Sequence, residues 1–214
     1  MGNNYDPVAG SYDFLSHLFF GQAEVNAQVE LLKYISSGSR ILIVGGGTGW
    51  ILEKISAIHP SGLQITYVES SFNMMAQSKK RDCRQNEIGF VQLPVEQFVM
   101  EEQYDCILTG FFFDNFSGES AATLFHILHP LLKSGGHWLF ADFYYHKGEG
   151  KLWQALLLKS MYISARLICG VEGRELADTE PLFAAAGYRQ LYTSFHYRRF
   201  IKSIAYQKKH EADL

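Results

Sequence analysis

Apolar positions change period several times along the chain. Residues 23–35 (AEVNAQVELLKYI) put Val25, Val29, Leu32 and Ile35 on one face at helical spacing, and Ser36-Ser37-Gly38 stops the run. The next segment, RILIV at 40–44, is apolar without alternation, as a strand buried on both faces should be. Residues 51–58 turn helical again and stop at His59-Pro60-Ser61-Gly62. The pattern then predicts a strand at 64–68, a helix at 71–81 capped by Ser70 or Ser71, and strands at 88–93 and 104–109. A helix over 119–132 follows, with Gly135-Gly136 just past its end, and then a strand at 137–143. Beyond the apolar segment 151–169 come a short helix near 179–186, with Pro181 in its first turn, and two strands at 189–196 and 200–207.

Strands alternating with helices predict an α/β fold: a Rossmann-like, seven-stranded, mostly parallel sheet with helices on both faces. The last two strands have no helix between them and predict an antiparallel C-terminal hairpin at the sheet edge. No repeat or linker divides the 214 residues, which read as one domain with helical cap elements over 1–38 and a lid-like helical insertion over 151–187.

The candidate chemistry begins where the first strand runs into Gly45-Gly46-Gly47-Thr48-Gly49-Trp50 and a helix. Glycines permit a tight turn and a close ligand approach, and a helix N-terminus offers free N–H groups. Glu69 ends the second strand, where a carboxylate can accept both hydrogen bonds of a ribose diol. A dinucleotide fingerprint needs glycine at position 50, which is Trp50, and no Lys-Ser/Thr follows the glycines as a P-loop requires.

These residues resemble the class I S-adenosylmethionine (SAM)-dependent methyltransferases, nearest to the small-molecule and quinone-biosynthesis types. ILIVGGGTG is similar to the family's first motif, ITYVES to its acidic second-strand end, YDCILTGFF to the fourth strand, and LHPLLKSGGHWLFADF to the helix, double-glycine turn and fifth strand. The opening YDPVAGSYDFLSHL resembles the N-terminal segment of the quinone-biosynthesis enzymes. The resemblance implies SAM as cofactor, S-adenosylhomocysteine as product, and no metal. It sets Gly45, Gly46, Gly47 and Gly49 along the methionine part, Glu69 on the ribose, and Ser70, Met74 and Val95 around the adenine. Thr109 and Gly110 would lie beneath the sulfonium, with Tyr12 closing the pocket. Two positions depart from the family pattern. Ile43 replaces an acidic residue that helps orient the cofactor's amino group, and Pro94 replaces an Asp that contacts the adenine amine in many relatives. Each missing bond is worth about 1–3 kcal/mol, and Asp13 or another N-terminal group is the candidate substitute.

On the acceptor side, Phe111, Phe113, Asp114, Tyr144, His146 and Trp153 are the candidate substrate residues, from the aromatic run after strand four, the carboxyl end of strand five and the apolar segment. No catalytic base is evident. The apolar residues of 151–170 exceed one buried stripe, and the surplus is assigned to the acceptor cavity or to a partner subunit, which would make a homodimer, with plain core packing as the alternative. A small, largely apolar acceptor is expected; a small acid held by Arg166 or Arg174 is the polar rival. A non-catalytic SAM-fold binding or scaffold protein is the second reading, on Ile43 and Pro94. A nicotinamide-dependent oxidoreductase is disfavoured by Trp50.

Composition narrows the partners. The formal charge is 19 − 22 = −3 with scattered basic residues, which argues against nucleic acid. Segment 151–170 carries Lys151, Lys159 and Arg166 at about 2.5–3.5 kcal/mol per central charge in a bilayer, so no membrane span is expected. Cys83, Cys106 and Cys169 form no CxxC pair, and His126 and His129 at i, i+3 lack a third ligand, so neither set predicts a metal. Free thiols and an N-terminus without an apolar signal core lead to the expectation of a cytoplasmic protein.

Overall fold

The computed structural model describes residues 6, 10, 20–145, 152–170, 173 and 175–209. Tyr12, Asp13, His146 and Arg174 lie outside the described residues. The described elements are α1 (Ala23–Val29), β1 (Arg40–Val44), α2 (Trp50–Ile58), β2 (Ser61–Val68), α3 (Phe72–Ser78), β3 (Gln85–Val91), β4 (Tyr104–Gly110), α4 (Gly118–Leu128), β5 (Leu132–Phe143), α5 (Leu152–Cys169), α6 (Glu180–Ala185), β6 (Tyr188–His196) and β7 (Ile201–Lys208). They form one seven-stranded sheet in the order β3-β2-β1-β4-β5-β7-β6. The pairs β1–β2, β1–β4, β2–β3 and β4–β5 are parallel, and β7 runs antiparallel to both β5 and β6.

The unalternating RILIV run has a simple cause. Ile41 and Ile43 point into a core with α1, α2 and α5, while Leu42 and Val44 point into a second core with α4 and α6. Both faces of β1 are dry from Ile41 to Val44, so each of those four positions is filled by an apolar side chain. The second core is aromatic: Phe183 stacks on Tyr206 at 4.0 Å, and Phe125 stacks on Trp138 at 5.5 Å.

Several boundaries differ from the periodicity reading. The first helix stops at Val29 and a 3₁₀ turn, Leu32–Tyr34, follows. The helix expected to reach residue 132 ends at Leu128, because Pro130 lacks an N–H and lies in a 3₁₀ turn, His129–Leu131. Gly135-Gly136 therefore does not end a helix. Both glycines lie inside β5, where the register to β4 shifts between Tyr104 and Cys106 and a Cβ on Gly136 would sit 2.9 Å from the Asp105 carbonyl oxygen. The β6–β7 turn, Tyr197-Arg198-Arg199, holds three non-glycine residues at φ 45, 55 and 67°. Gln154 of α5 donates to the Arg198 carbonyl, and the Arg199 guanidinium lies 4.1 Å over the Phe195 ring. Such strain persists only where surrounding contacts fix it.

Candidate functional site

The glycine turn joins β1 to α2 at the carboxyl edge of the sheet, where β1, β2 and β4 end together. A cavity of about 410 Å³ opens there. Its walls come from the turn (Gly45, Gly46, Gly47, Thr48), from α2 (Trp50, Ile51, Lys54), from the end of β2 and the start of α3 (Glu69, Ser70, Met74), from β4 and the following loop (Gly110, Phe111, Phe112, Asn115, Phe116) and from the first helix (Glu24, Val25, Gln28). This is the position the sheet topology assigns to a ligand.

Hydrogen bonds from buried side chains hold the turn. Glu69 is only 6% exposed; one carboxylate oxygen accepts from the Gly47 N–H at 2.9 Å and the other from the Ser71 N–H at 2.8 Å. Burial pushes its carboxyl above the usual range, against the pull of these N–H donors. Tyr67, fully buried on β2, donates its hydroxyl to the Gly47 carbonyl at 2.9 Å, and its ring fills the space a Cβ on Gly46 would need. Gly47 differs from its neighbours: its φ is +63°, and a Cβ there would meet only the Met74 sulfur at 3.7 Å. The requirement for glycine at Gly47 thus comes from backbone conformation beside the cavity. Ser71 caps α3, its Oγ accepting from the Met74 N–H and donating to Asp6, whose carboxylate also accepts from the Asn73 N–H.

The opposite wall is assembled from distant segments. α1 is pinned to the C-terminal hairpin: His196 meets Glu30 at 2.7 Å, Tyr192 donates to Glu30, and Ser203 donates to the Ala27 carbonyl. That anchoring lays the Gln28 carboxamide directly on Gly110, where a Cβ would collide with it. Phe111 follows at φ 52°, its N–H bonded to the Ala141 carbonyl at 2.7 Å and its ring against Phe143 at 5.0 Å. Behind this wall Asp142 accepts three backbone N–H groups, from Phe113, Asp114 and Phe143. Burial pushes its carboxyl to about 7 even so. Asp114 is raised well above the ordinary carboxylate range by burial and by the charges of Asp142 and Glu24. The Tyr162 hydroxyl of α5 reaches the Asp114 carbonyl at 3.1 Å.

Of the residues singled out from sequence, Gly45, Gly46, Gly47, Glu69, Ser70, Met74, Gly110 and Phe111 line the cavity together. Others do not. Gly49, at φ +79°, is glycine because a Cβ would strike Ser78 at 2.6 Å. Thr109 turns its hydroxyl to the Trp138 indole at 2.9 Å, on the opposite face of the sheet. Val95 and Phe113 are packed in the aromatic core, Tyr144 lies against Phe195 at 5.3 Å, and Trp153 packs on Tyr197 and Phe200. Asp114 sits behind the cavity wall rather than on it. No described residue of α5 lines the cavity either; its surplus faces outward, with Leu152 86% and Leu167 80% exposed. Sequence reasoning missed Gln28, Glu24, Tyr67 and Phe116, while Phe112, the middle of the aromatic run, does line the cavity. A signal existed for Gln28: it stands three residues from Val25 and from Leu31, a polar residue on an apolar helical face.

Among the described residues no group of three or more His, Cys, Asp or Glu is placed to hold a metal ion, and no helix is long and apolar enough to cross a membrane. A mostly parallel sheet in this strand order, with a glycine turn and a buried carboxylate at its carboxyl edge, defines the class: a Rossmann-like α/β domain with a ligand cavity at that edge. Comparison with known proteins agrees. Residues 41–136 match the family model of a methyltransferase domain. A ubiquinone/menaquinone biosynthesis C-methyltransferase of Geotalea daltonii is 29% identical over 146 residues, covering 65% of this chain and 61% of the relative. A malonyl-[acyl-carrier protein] O-methyltransferase of Priestia megaterium is 27% identical over 139 residues, covering 65% of this chain and 47% of the relative. The chain thus spans less than two thirds of the length of either. Among solved structures, the magnesium protoporphyrin IX methyltransferase of Synechocystis, with bound S-adenosylhomocysteine, superposes with TM-score 0.64 at 13% identity, covering 87% of this chain and 83% of that one. The calicheamicin-biosynthesis methyltransferase CalO1 gives 0.63 at 19% identity, covering 93% and 59%. These two likenesses are of fold. Residues 41–136, which run from β1 into β5 and hold the glycine turn and Glu69, are thus similar to a methyltransferase domain, and the chain shares the Rossmann-like fold of the two solved methyltransferases.

Proposed function

We propose that this chain transfers a methyl group from SAM to a small, largely apolar acceptor. The observation that carries the reading is the shared cavity of the glycine turn and Glu69. Three features fit the cofactor: a glycine cradle with room beside Gly47, a buried carboxylate, Glu69, at the cavity edge, and the thioether of Met74 on the same wall. When bound, SAM supplies a methyl group on a sulfonium whose neutralisation makes it a good leaving group. The chain's own part is positioning: Glu69 and the turn fix one end, while Gly110 and Phe111 shape the floor. Holding two reactants in line provides much of the acceleration in such a displacement. Val25, Phe111, Phe112 and Phe116 support an acceptor that gains from leaving water, at roughly 25 cal/mol per Å² of apolar surface. The names of the two sequence relatives, a quinone-pathway C-methyltransferase and an acyl-carrier O-methyltransferase, support methyl transfer and leave the acceptor atom open.

Calorimetry with SAM, S-adenosylhomocysteine and NAD, followed by transfer of labelled methyl to apolar metabolites, small acids and nucleic acids, tests the reading. Binding of the two adenosyl compounds and turnover on an apolar metabolite are expected. Binding of NAD alone, or turnover only on nucleic acid, refutes it.

A further inference from the structure

The family's acidic residue at the end of strand one is absent here, and the structure shows that the strand offers no replacement. Ile43 is completely buried, in register between Tyr67 and Leu108. Across the cavity, Gln28 presents a polar group to the open space. Its side chain is 8% exposed and lines the cavity, and its carboxamide makes no hydrogen bond to any described residue. A helix position on an otherwise apolar face would be filled by Leu or Met if packing alone decided it. The neighbouring strand has adapted to it, since Gly110 is the residue whose missing Cβ lets the amide lie flat. One helical turn earlier, Glu24 lines the same wall. Burial is the main cause that raises the Asp114 and Asp142 carboxyls, and the negative charge of Glu24 adds to both rises.

We propose that Gln28 and Glu24 of α1 take over recognition of the cofactor's α-ammonium group, a role the family gives to an acid on strand one. The inference rests on SAM being the cofactor. An ammonium brings three N–H donors and a positive charge. The Gln28 oxygen accepts one donor at the floor of the cavity, above Gly110, and the Glu24 carboxylate supplies the opposite charge. The site has therefore moved from the sheet to a helix anchored on the C-terminal hairpin.

The test compares two ligands by calorimetry on the full chain: S-adenosylhomocysteine, which has the amino-acid end, and 5′-methylthioadenosine, which lacks it. Gln28→Leu, close in volume, should weaken S-adenosylhomocysteine at least tenfold and leave 5′-methylthioadenosine within twofold of wild type. Glu24→Gln, on a partly exposed side chain that does not threaten the fold, should weaken S-adenosylhomocysteine about fivefold with the same selectivity. Equal losses for both ligands, or no loss for either, overturn the proposal. Wild-type protein that binds neither ligand overturns the cofactor reading itself, which is a separate result from selective binding lost or kept.

Discussion

The two ends of the cavity are built by different means. The end at Glu69 is local: Gly47, Tyr67, Glu69 and Ser71 fall within 25 residues, and each hydrogen bond among them closes one βαβ unit. The end at Gly110 is assembled from residues far apart in sequence. Gln28 lies on Gly110, Asp142 holds the N–H groups of Phe113 and Asp114, and Tyr162 reaches the Asp114 carbonyl. A local end keeps a shared cofactor in one geometry. A nonlocal end can be altered one segment at a time without disturbing the glycine turn.

If that contrast is right, damage at the two ends should read out differently. The largest effect is expected at the nonlocal end. Asp142→Ala removes the acceptor of three backbone N–H groups in a buried loop, and each orphaned donor costs roughly 1–3 kcal/mol. With partial relaxation the loss of folding stability should be about 3–5 kcal/mol by urea denaturation. A loss below about 1 kcal/mol would mean that the loop does not depend on Asp142.

At the local end the same kind of change should strike binding first. Under the proposed function Glu69→Ala deletes the charged acceptor of two ribose hydroxyls, and the expected loss is roughly 2–4 kcal/mol of S-adenosylhomocysteine affinity. It also strips the Gly47 and Ser71 N–H groups, so some stability falls with it. Glu69 must be ionised to accept those hydroxyls, and burial has raised its pKa. Affinity should accordingly be full at neutral pH and fall on acidification sooner than an ordinary glutamate would dictate. Affinity independent of Glu69, measured by calorimetry, would remove the local end from the binding site.

A smaller and cleaner contrast lies within the glycine turn. Gly47→Ala places a methyl beside the cavity at φ +63°, costing about 1–2 kcal/mol of backbone strain and roughly tenfold in cofactor affinity. Gly49→Ala drives a Cβ against the Ser78 backbone at 2.7 Å, so its cost should appear in the melting temperature instead. Matching losses of affinity and of melting temperature in both variants would erase the distinction between a cavity glycine and a packing glycine.

The same division governs how far the sequence could be read. The strand–glycine–helix unit and Glu69 were legible because their spacing is fixed by one turn of chain, and RILIV announced a doubly buried strand. Register and side-chain direction were not. Thr109 and Gly110 are adjacent, yet one faces the aromatic core and the other the cavity, because successive strand residues point to opposite faces. Phe111 and Phe113 likewise part company, and the φ 52° kink at Phe111 has no glycine to advertise it. Trp153 and the rest of α5 read as cavity wall because apolar surplus carries no direction; only the contacts with Tyr197, Phe200 and Asp114 reveal which face is used. Gln28 meets Gly110 across 82 residues, a distance at which no periodicity argument operates.

The last predicted effect follows from the carboxylate pair behind the nonlocal wall of the cavity. In the unfolded chain Asp142 titrates near 3.8, and in the folded protein near 7. Between those values the folded state keeps a proton that the unfolded state has released. The pair's contribution to stability is therefore full below about pH 4 and is lost as pH rises towards 7, with a slope of at most about 1.4 kcal/mol per pH unit for one group. Asp114, pushed up by burial and by the charges of Asp142 and Glu24, acts in the same direction. Asp142→Asn removes the titrating charge while keeping a side-chain oxygen to accept part of the N–H set. Urea denaturation of wild type at pH 5 and pH 7 should show the higher stability at pH 5 once the slope from all other groups, taken from Asp142→Asn, is subtracted. Parallel pH profiles for the two proteins would show that the nonlocal end holds no shared proton, and that its buried charge is relieved in some other way.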